Sequence, residues 1–191
     1  ETAQKIEKII KEENYTPSPF ARSLKAKSSS MIGVIVPRMD SSATAKTLMG
    51  IDEVVEELNY ELLMNNARQD SKREIKAIEE FARNKVAGII LIATEITSEH
   101  IKVIKKCPVP VLIVGQEHEE IHSVVHDDYQ AGFELVEALA KQGFHEMTYV
   151  GVSNRDHAVG VVRKEGIFAG AKANHFDRIE QLEGDFSIHK A

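Results

Sequence analysis

Three places in this chain carry arginine or aspartate side chains suited to polar chemistry. Arg38 and Asp40 follow the apolar run Met31-Ile-Gly-Val-Ile-Val36, Asp127 and Asp128 stand side by side before a helical pattern, and Arg163 lies early in a helix reached from the loop at 153–160. A guanidinium is a planar fork matched to phosphate oxygens. Arg38 therefore reads either as a phosphate contact or as a solvated loop residue paired with Asp40. A guanidinium laid across vicinal hydroxyls, with a carboxylate such as Asp128 opposite, is the polar vocabulary of sugar recognition. For Arg163 the plainer alternative is a helix-surface ion pair with Glu165 or Asp156. Two adjacent aspartates at one helix start cannot point the same way. Asp127 is expected to cap the helix, which satisfies free backbone N–H groups, and Asp128 to face a ligand. Ser41, Ser42 and Gln116 sit where they could line the same pocket.

Other chemistry finds less support. Of the eight histidines, His118, His122 and His126 recur every four residues, but a strand-like Ser123-Val-Val separates them and no cysteine pair accompanies them. No metal and no cofactor is expected. No Gly-x-Gly-x-x-Gly or Walker loop follows a strand. Ser153 and His157 resemble catalytic residues superficially, yet Gly151-Val-Ser153 lacks the glycine that a nucleophile elbow places after its serine.

The positioning elements alternate. Strands are expected at 31–36, 60–64, 86–93, 109–114, 123–126, 148–152 and 179–183, and helices at about 44–58, 71–84, 98–105, 128–142 and 158–174. Ser71-Lys-Arg-Glu74 has the form of a capping box. The first helix puts Leu48, Ile51, Val54, Val55 and Leu58 on one face, and the second buries Ile75, Ile78, Phe81 and Ala82. Strands that are apolar nearly throughout imply a parallel sheet covered on both faces. The fold class is therefore α/β, doubly wound, with right-handed crossovers.

The 191 residues carry a net charge of −6 and a single cysteine, Cys107. That composition argues against a generally basic nucleic-acid protein, and one cysteine allows no internal disulfide framework. A cytoplasmic setting and no membrane span are expected. Local positive charge gathers at Arg22, Lys25 and Lys27, on a short helix expected at 19–27 after Pro17 and Pro19. Residues 1–14 carry Ile6, Ile9 and Ile10 at helical spacing. Both ends read as cut from a longer chain.

These segments together resemble the lactose/galactose-repressor (LacI/GalR) family. Tyr15, Pro17, Ala21, Arg22 and Leu24 match its Tyr-x-Pro-Asn-x-x-Ala-Arg-x-Leu hallmark, with Ser18 in the asparagine position. Asn59-Tyr60, Val86-Ala-Gly-Ile-Ile90, Val109-Pro-Val111, Asp127-Asp128, Gly143-Phe144 and Arg163-Lys-Glu-Gly166-Ile follow its order, with departures at Ala87, Phe144 and Ile167. The resemblance implies a periplasmic-binding-protein-like fold of two subdomains. It divides the chain into the last headpiece helix at 1–15, a hinge helix and linker at 16–30, a first sensor subdomain at 31–126, and a truncated second one at 127–191. It also implies a transcriptional repressor that is not an enzyme, with operator DNA as partner and a homodimer as the working form. Ala21, Arg22, Leu24 and Lys25 would contact DNA through the hinge. The dimer would use the helices at 44–58 and 71–84, which offer Met49, Val55, Ile75 and Ala82.

Arg38, Ser41, Ser42, Gln116, Asp128 and Arg163 are the effector-binding residues that the resemblance implies. Arg163 is then expected to be required for sensing but not for folding. Val36-Pro-Arg38-Met-Asp40-Ser41 and Val125-His-Asp127-Asp128 look similar to the trehalose and sucrose operon repressors of the family. An effector such as trehalose 6-phosphate or sucrose 6-phosphate is the corresponding expectation. A family member sensing a free sugar, and a sugar-binding transport protein of the same fold, are the alternatives.

Overall fold

The computed structural model describes residues 29–186, together with Ile10 and Glu12. The hinge residues Ala21, Arg22, Leu24 and Lys25 lie outside the described residues, as does the expected headpiece segment at 1–15 apart from Ile10 and Glu12.

The strands and helices alternate as the apolar pattern requires. β1 (Met31–Val36), α1 (Ser42–Glu57), β2 (Glu61–Asn66), α2 (Ser71–Arg83), β3 (Gly88–Ile92), α3 (Ser98–Lys106), β4 (Val111–Val114) and β5 (Ser123–Val124) build the first sheet with its covering helices. The sheet is parallel throughout, in the order β2-β1-β3-β4-β5. Parallel neighbours need a crossover between them, which is the place of α1, α2 and α3. β1 is an inner strand, closed to water at Val34, Ile35 and Val36, and Ile89, Leu91 and Ile113 continue the core across the sheet. α2 lays Ile78 and Phe81 on it. Gly33 is required for that approach, because a Cβ there would collide with the Phe81 ring.

A second unit follows. α4 (Asp128–Lys141), β6 (Glu146–Gly151), a π-helical turn (Ala158–Arg163), α5 (Lys164–Ala173) and β7 (Arg178–Glu183) pack around a parallel β6-β7 pair, with Val136, Ile167 and Ala171 at the centre. Gly132 and Gly166 let α4 and α5 touch backbone to backbone. A side chain on Gly166 would run into the Tyr129 carbonyl, and one on Gly132 into the Arg163 carbonyl.

Several local expectations need correction. The cap of α2 is Asp70, whose Oδ1 accepts from the Lys72 and Arg73 N–H groups at 2.8 and 3.1 Å; Ser71 is the first helical residue. Glu74 is turned inward instead of back to the cap. A reciprocal capping box does occur one helix later, between Thr97 and His100. Val54 and Leu58 do not join the buried face of α1, being 53 % and 63 % exposed. α1 spans the sheet next to its edge strand β2, so its buried residues reduce to Thr44 and Val55. Val55 is thereby removed from any free surface, whereas Met49 is 72 % exposed. β5 is shorter than expected, so Val125 and His126 fall outside it. The last long helix opens as a π turn and becomes α-helical only at Lys164.

Candidate functional site

Strand ends from both sheets converge on one cavity of about 550 Å³. Pro37, Arg38 and Asp40 reach it from β1, Arg68 and Gln69 from β2, and Thr94 from β3. Ser153, Arg155 and Asp156 reach it from the loop after β6, and Glu183 to Phe186 from β7. The carboxyl ends of parallel strands are where α/β folds hold ligands, because the loops there spread around a crevice that the helices leave open.

Arg38 is the expected site residue that lines this cavity. Its Nε and Nη2 donate to the two oxygens of Asp40 at 2.6 and 2.7 Å, and its Nη1 donates to the Phe186 carbonyl at 2.5 Å. Pairing with Asp40 was the plainer of its two readings, yet the side chain is 18 % exposed and so is no freely solvated loop residue. The hydrogen bond to Asp40 holds the guanidinium above its ordinary range, and the same bond holds the Asp40 carboxyl below that of a free carboxylate.

The other expected residues are distributed around this cavity rather than within it. Ser41 caps α1, accepting from the Thr44 N–H at 3.3 Å, and Ser42 is the exposed first residue of that helix. Gln116 and Asp128 line a neighbouring cavity of about 270 Å³ with His118, His126 and His157. Among the described residues no group of three or more His, Cys, Asp or Glu is arranged to hold a metal ion.

Gln116 forms the wall between the two cavities. It is 4 % exposed. Its Nε2 donates to Asp156 Oδ1 at 2.9 Å, and its Oε1 accepts from the Ala158 N–H at 3.3 Å. Burial raises the Asp156 carboxyl above its ordinary range, although bonds from the Val159 N–H and from Gln116 favour the charged form. Together with Arg38 to Phe186, and Arg155 to Glu95 at 3.2 Å, this contact ties the first sheet to the second unit across the crevice.

Asp127 is the cap of α4, accepting from the Gln130 N–H at 3.0 Å. Asp128 points inward, 5 % exposed, and accepts from Arg163 Nε at 2.7 Å and from Arg163 Nη2. Arg163 thus pairs with Asp128 instead of Glu165 or Asp156. The pairing changes what Arg163 does for folding, because removing it would leave a buried carboxylate without its cation. It is not a residue whose loss leaves stability intact. Its guanidinium is still 41 % exposed at the end of the π turn, so one side remains available to a ligand. Single π turns inside helices recur at functional sites.

Sequence reasoning passed over Arg68, Gln69 and Arg155, and weighed Asp156 only as a partner for Arg163. The signal was available: each follows a strand by a few residues. β2 ends at Asn66 and not at Met64, which moves Arg68 from mid-loop to the strand's mouth.

Comparison with known proteins agrees with this geometry. Residues 29–185 match the family described as periplasmic binding proteins and the sugar binding domain of the LacI family. The chain belongs to that family. It is 47 % identical over 174 residues to the sucrose operon repressor of Staphylococcus xylosus, covering 91 % of this chain and 54 % of that protein. It is 29 % identical over 151 residues to catabolite control protein A of Priestia megaterium, covering 78 % and 46 %. The trehalose repressor of Escherichia coli shares the fold with a TM-score of 0.74 at 21 % identity, over 85 % of this chain and 62 % of that one. The chain spans about half the length of the curated relatives it matches. LacI-family regulators are not enzymes, and no helix among the described residues is long and apolar enough to cross a membrane.

Proposed function

We propose that this chain is the effector-sensing part of a transcriptional repressor of a sugar-utilisation operon, released from its operator by a disaccharide 6-phosphate such as that of sucrose or trehalose. The observation that carries the reading is Arg38, a guanidinium held at 18 % exposure on a cavity walled by strand ends of both sheets. A phosphate dianion is matched by such a fork, and the carboxylates and amides around it suit sugar hydroxyls. A phosphorylated disaccharide exists in the cytoplasm only after uptake, so a sensor of it reports transport.

In this reading the effector binds between the two units and changes their relative setting. That change is passed to the segment before Ser29, where Ala21, Arg22, Leu24 and Lys25 meet operator DNA. A palindromic operator calls for a two-fold protein. Val54 and Leu58, one turn apart at the end of α1, and Met64 on the edge strand are exposed apolar residues, as is Met49 on another face of α1, and they support homodimer formation there. One observation favours a free-sugar effector instead: the fork of Arg38 is already filled by Asp40 and the Phe186 carbonyl.

The test is operator release. Full-length protein bound to labelled operator is titrated with sucrose 6-phosphate, trehalose 6-phosphate and the two free sugars, with fluorescence anisotropy as the readout. Release by a phosphate ester at concentrations where the parent sugar has no effect is the expected result. Release by the free sugar alone would contradict it.

A further inference from the structure

Two arginines end neighbouring strands of the first sheet. Val36 is paired with Asn66, so Arg38 and Arg68 each stand two residues beyond a matched pair, on strands about 4.8 Å apart. Backbone bonds hold the two loops together: the Ala67 N–H donates to the Val36 carbonyl at 2.9 Å and the Gln69 N–H to the Pro37 carbonyl at 2.8 Å. Both arginines line the same cavity.

Their charges are not equivalent. Arg38 is matched by both oxygens of Asp40, and Asp185 adds a further negative field. An ion pair is nearly neutral to anything that approaches it from outside. Arg68 is exposed and, among the described residues, has no carboxylate within ion-pair distance. Its backbone is nonetheless fixed. Arg68 adopts a left-handed conformation with φ 55°, and its N–H donates to Asn66 Oδ1 at 3.1 Å. Such a turn is sparsely populated by residues with a long side chain, and here it directs arginine to the cavity mouth. Asp156, Glu183 and Asp185 line the cavity from the second unit, as does Arg155, which is paired with Glu95. The cavity therefore combines an exposed cation that has no ion-pair partner among the described residues with carboxylates that can accept from sugar hydroxyls.

We propose that Arg68 is the residue that selects the phosphate ester over the free sugar, supplying the unbalanced positive charge while the Arg38–Asp40 pair orients the ester oxygens. The proposal rests on the reading that this cavity holds the effector. It assigns to Arg68 the preference for the ester, and it removes the objection that Arg38 is already paired.

Calorimetric titration of the full-length protein tests it, with sucrose 6-phosphate, sucrose and inorganic phosphate as ligands of the wild type, Arg68→Gln and Arg68→Lys. The expected result is a wild-type preference for the ester that falls roughly tenfold to a hundredfold in Arg68→Gln, as for a lost charged hydrogen bond. Affinity for sucrose should stay unchanged, and Arg68→Lys should retain part of the preference. Arg68→Asn suits the left-handed backbone and gives the same reading if the glutamine variant folds poorly. A wild-type preference that survives in Arg68→Gln and Arg68→Asn would overturn the role of Arg68 and leave the effector assignment standing. A wild type without any preference would overturn the effector assignment and this inference with it. Inorganic phosphate binding as tightly as the ester would also overturn the inference, since the sugar body would then contribute nothing.

Discussion

Among the described residues two carboxylates are taken out of water, and each has one cationic or potentially cationic neighbour. Glu74 on α2 and His100 on α3 are 2 % and 0 % exposed, with Nε2 and Oε2 3.0 Å apart. Asp128 on α4 is as buried as Glu74, but its partner Arg163 is 41 % exposed. The first pair is sealed. The Thr97 N–H donates to His100 Nδ1 at 3.2 Å, which leaves Nε2 to carry the proton and donate it to Glu74. No solute can reach either group, so the pair can only join two helices. The second pair has the same buried carboxylate with an accessible cation, which is the arrangement a ligand can bind to or compete with. Accessibility on one side, rather than the presence of a buried charge, distinguishes a sensing pair from a structural one.

The comparison is easiest to break from its sealed side. Glu74→Ala leaves a cavity and a buried imidazole N–H without its acceptor between α2 and α3, and is expected to cost about 2–4 kcal/mol in urea unfolding. Any variant protein that remains folded should bind effector normally. Glu74 Oε1 has no hydrogen-bond partner, so the pair is incompletely satisfied and the loss should lie toward the low end of that range.

Arg163→Ala should show both effects at once. The stability cost is expected to be about 1–2 kcal/mol, smaller than for a sealed pair because Arg163 is partly in water. Effector affinity should fall by about 1.5–3 kcal/mol, the usual loss for a charged hydrogen bond. Unchanged affinity in a folded Arg163→Ala protein would place the guanidinium with the structural pairs. Asp128→Asn, which keeps a hydrogen-bond acceptor, should lose less stability than Arg163→Ala.

A smaller effect lies in the pH dependence. Asp156 is raised by burial, so the folded state holds its proton more tightly than the unfolded chain, where the ordinary value is 3.8. The stabilisation that follows is complete below that value and is lost as pH rises through the raised native value. Asp156→Asn keeps an acceptor for Gln116 and for the Val159 N–H. It should remove this component from the stability profile in acid while keeping the contact with Gln116 across the crevice. A profile identical to that of the wild type would mean that the contact between Gln116 and Asp156 does not bury the carboxylate in solution.

The legible parts of the sequence were those written in periodicity. The apolar runs of β1, β3 and β4 and the aspartate pair at the start of α4 carry local signals, and the structure follows them. The α2 cap was misplaced because Asp70 and Ser71 are both good capping residues, and the choice between them depends on Glu74 finding His100 twenty-six positions later. Val54 and Leu58 were assigned to the core because helical spacing reports a face, not how far the sheet extends beneath it. Arg68 follows a strand, but its place at the cavity is hard to read from the sequence for a related reason. Its placement depends on two extra residues of β2 and on the parallel register with β1. The π turn ahead of Lys164 has no pattern of its own in the sequence.

The central claim is that the cavity between the two units reads a phosphorylated disaccharide, with Arg38 on its wall. Its most direct measurement is calorimetric titration of full-length wild type and Arg38→Ala with sucrose 6-phosphate and with sucrose, at low and at high salt. The account predicts that wild type prefers the ester, that this preference weakens as salt screens the charges, and that Arg38→Ala, which also frees the Asp40 carboxylate to repel the phosphate, loses most of it. Equal affinity of the wild type for sucrose and sucrose 6-phosphate would contradict the account and return Arg38 to a structural link between Asp40 and the Phe186 carbonyl.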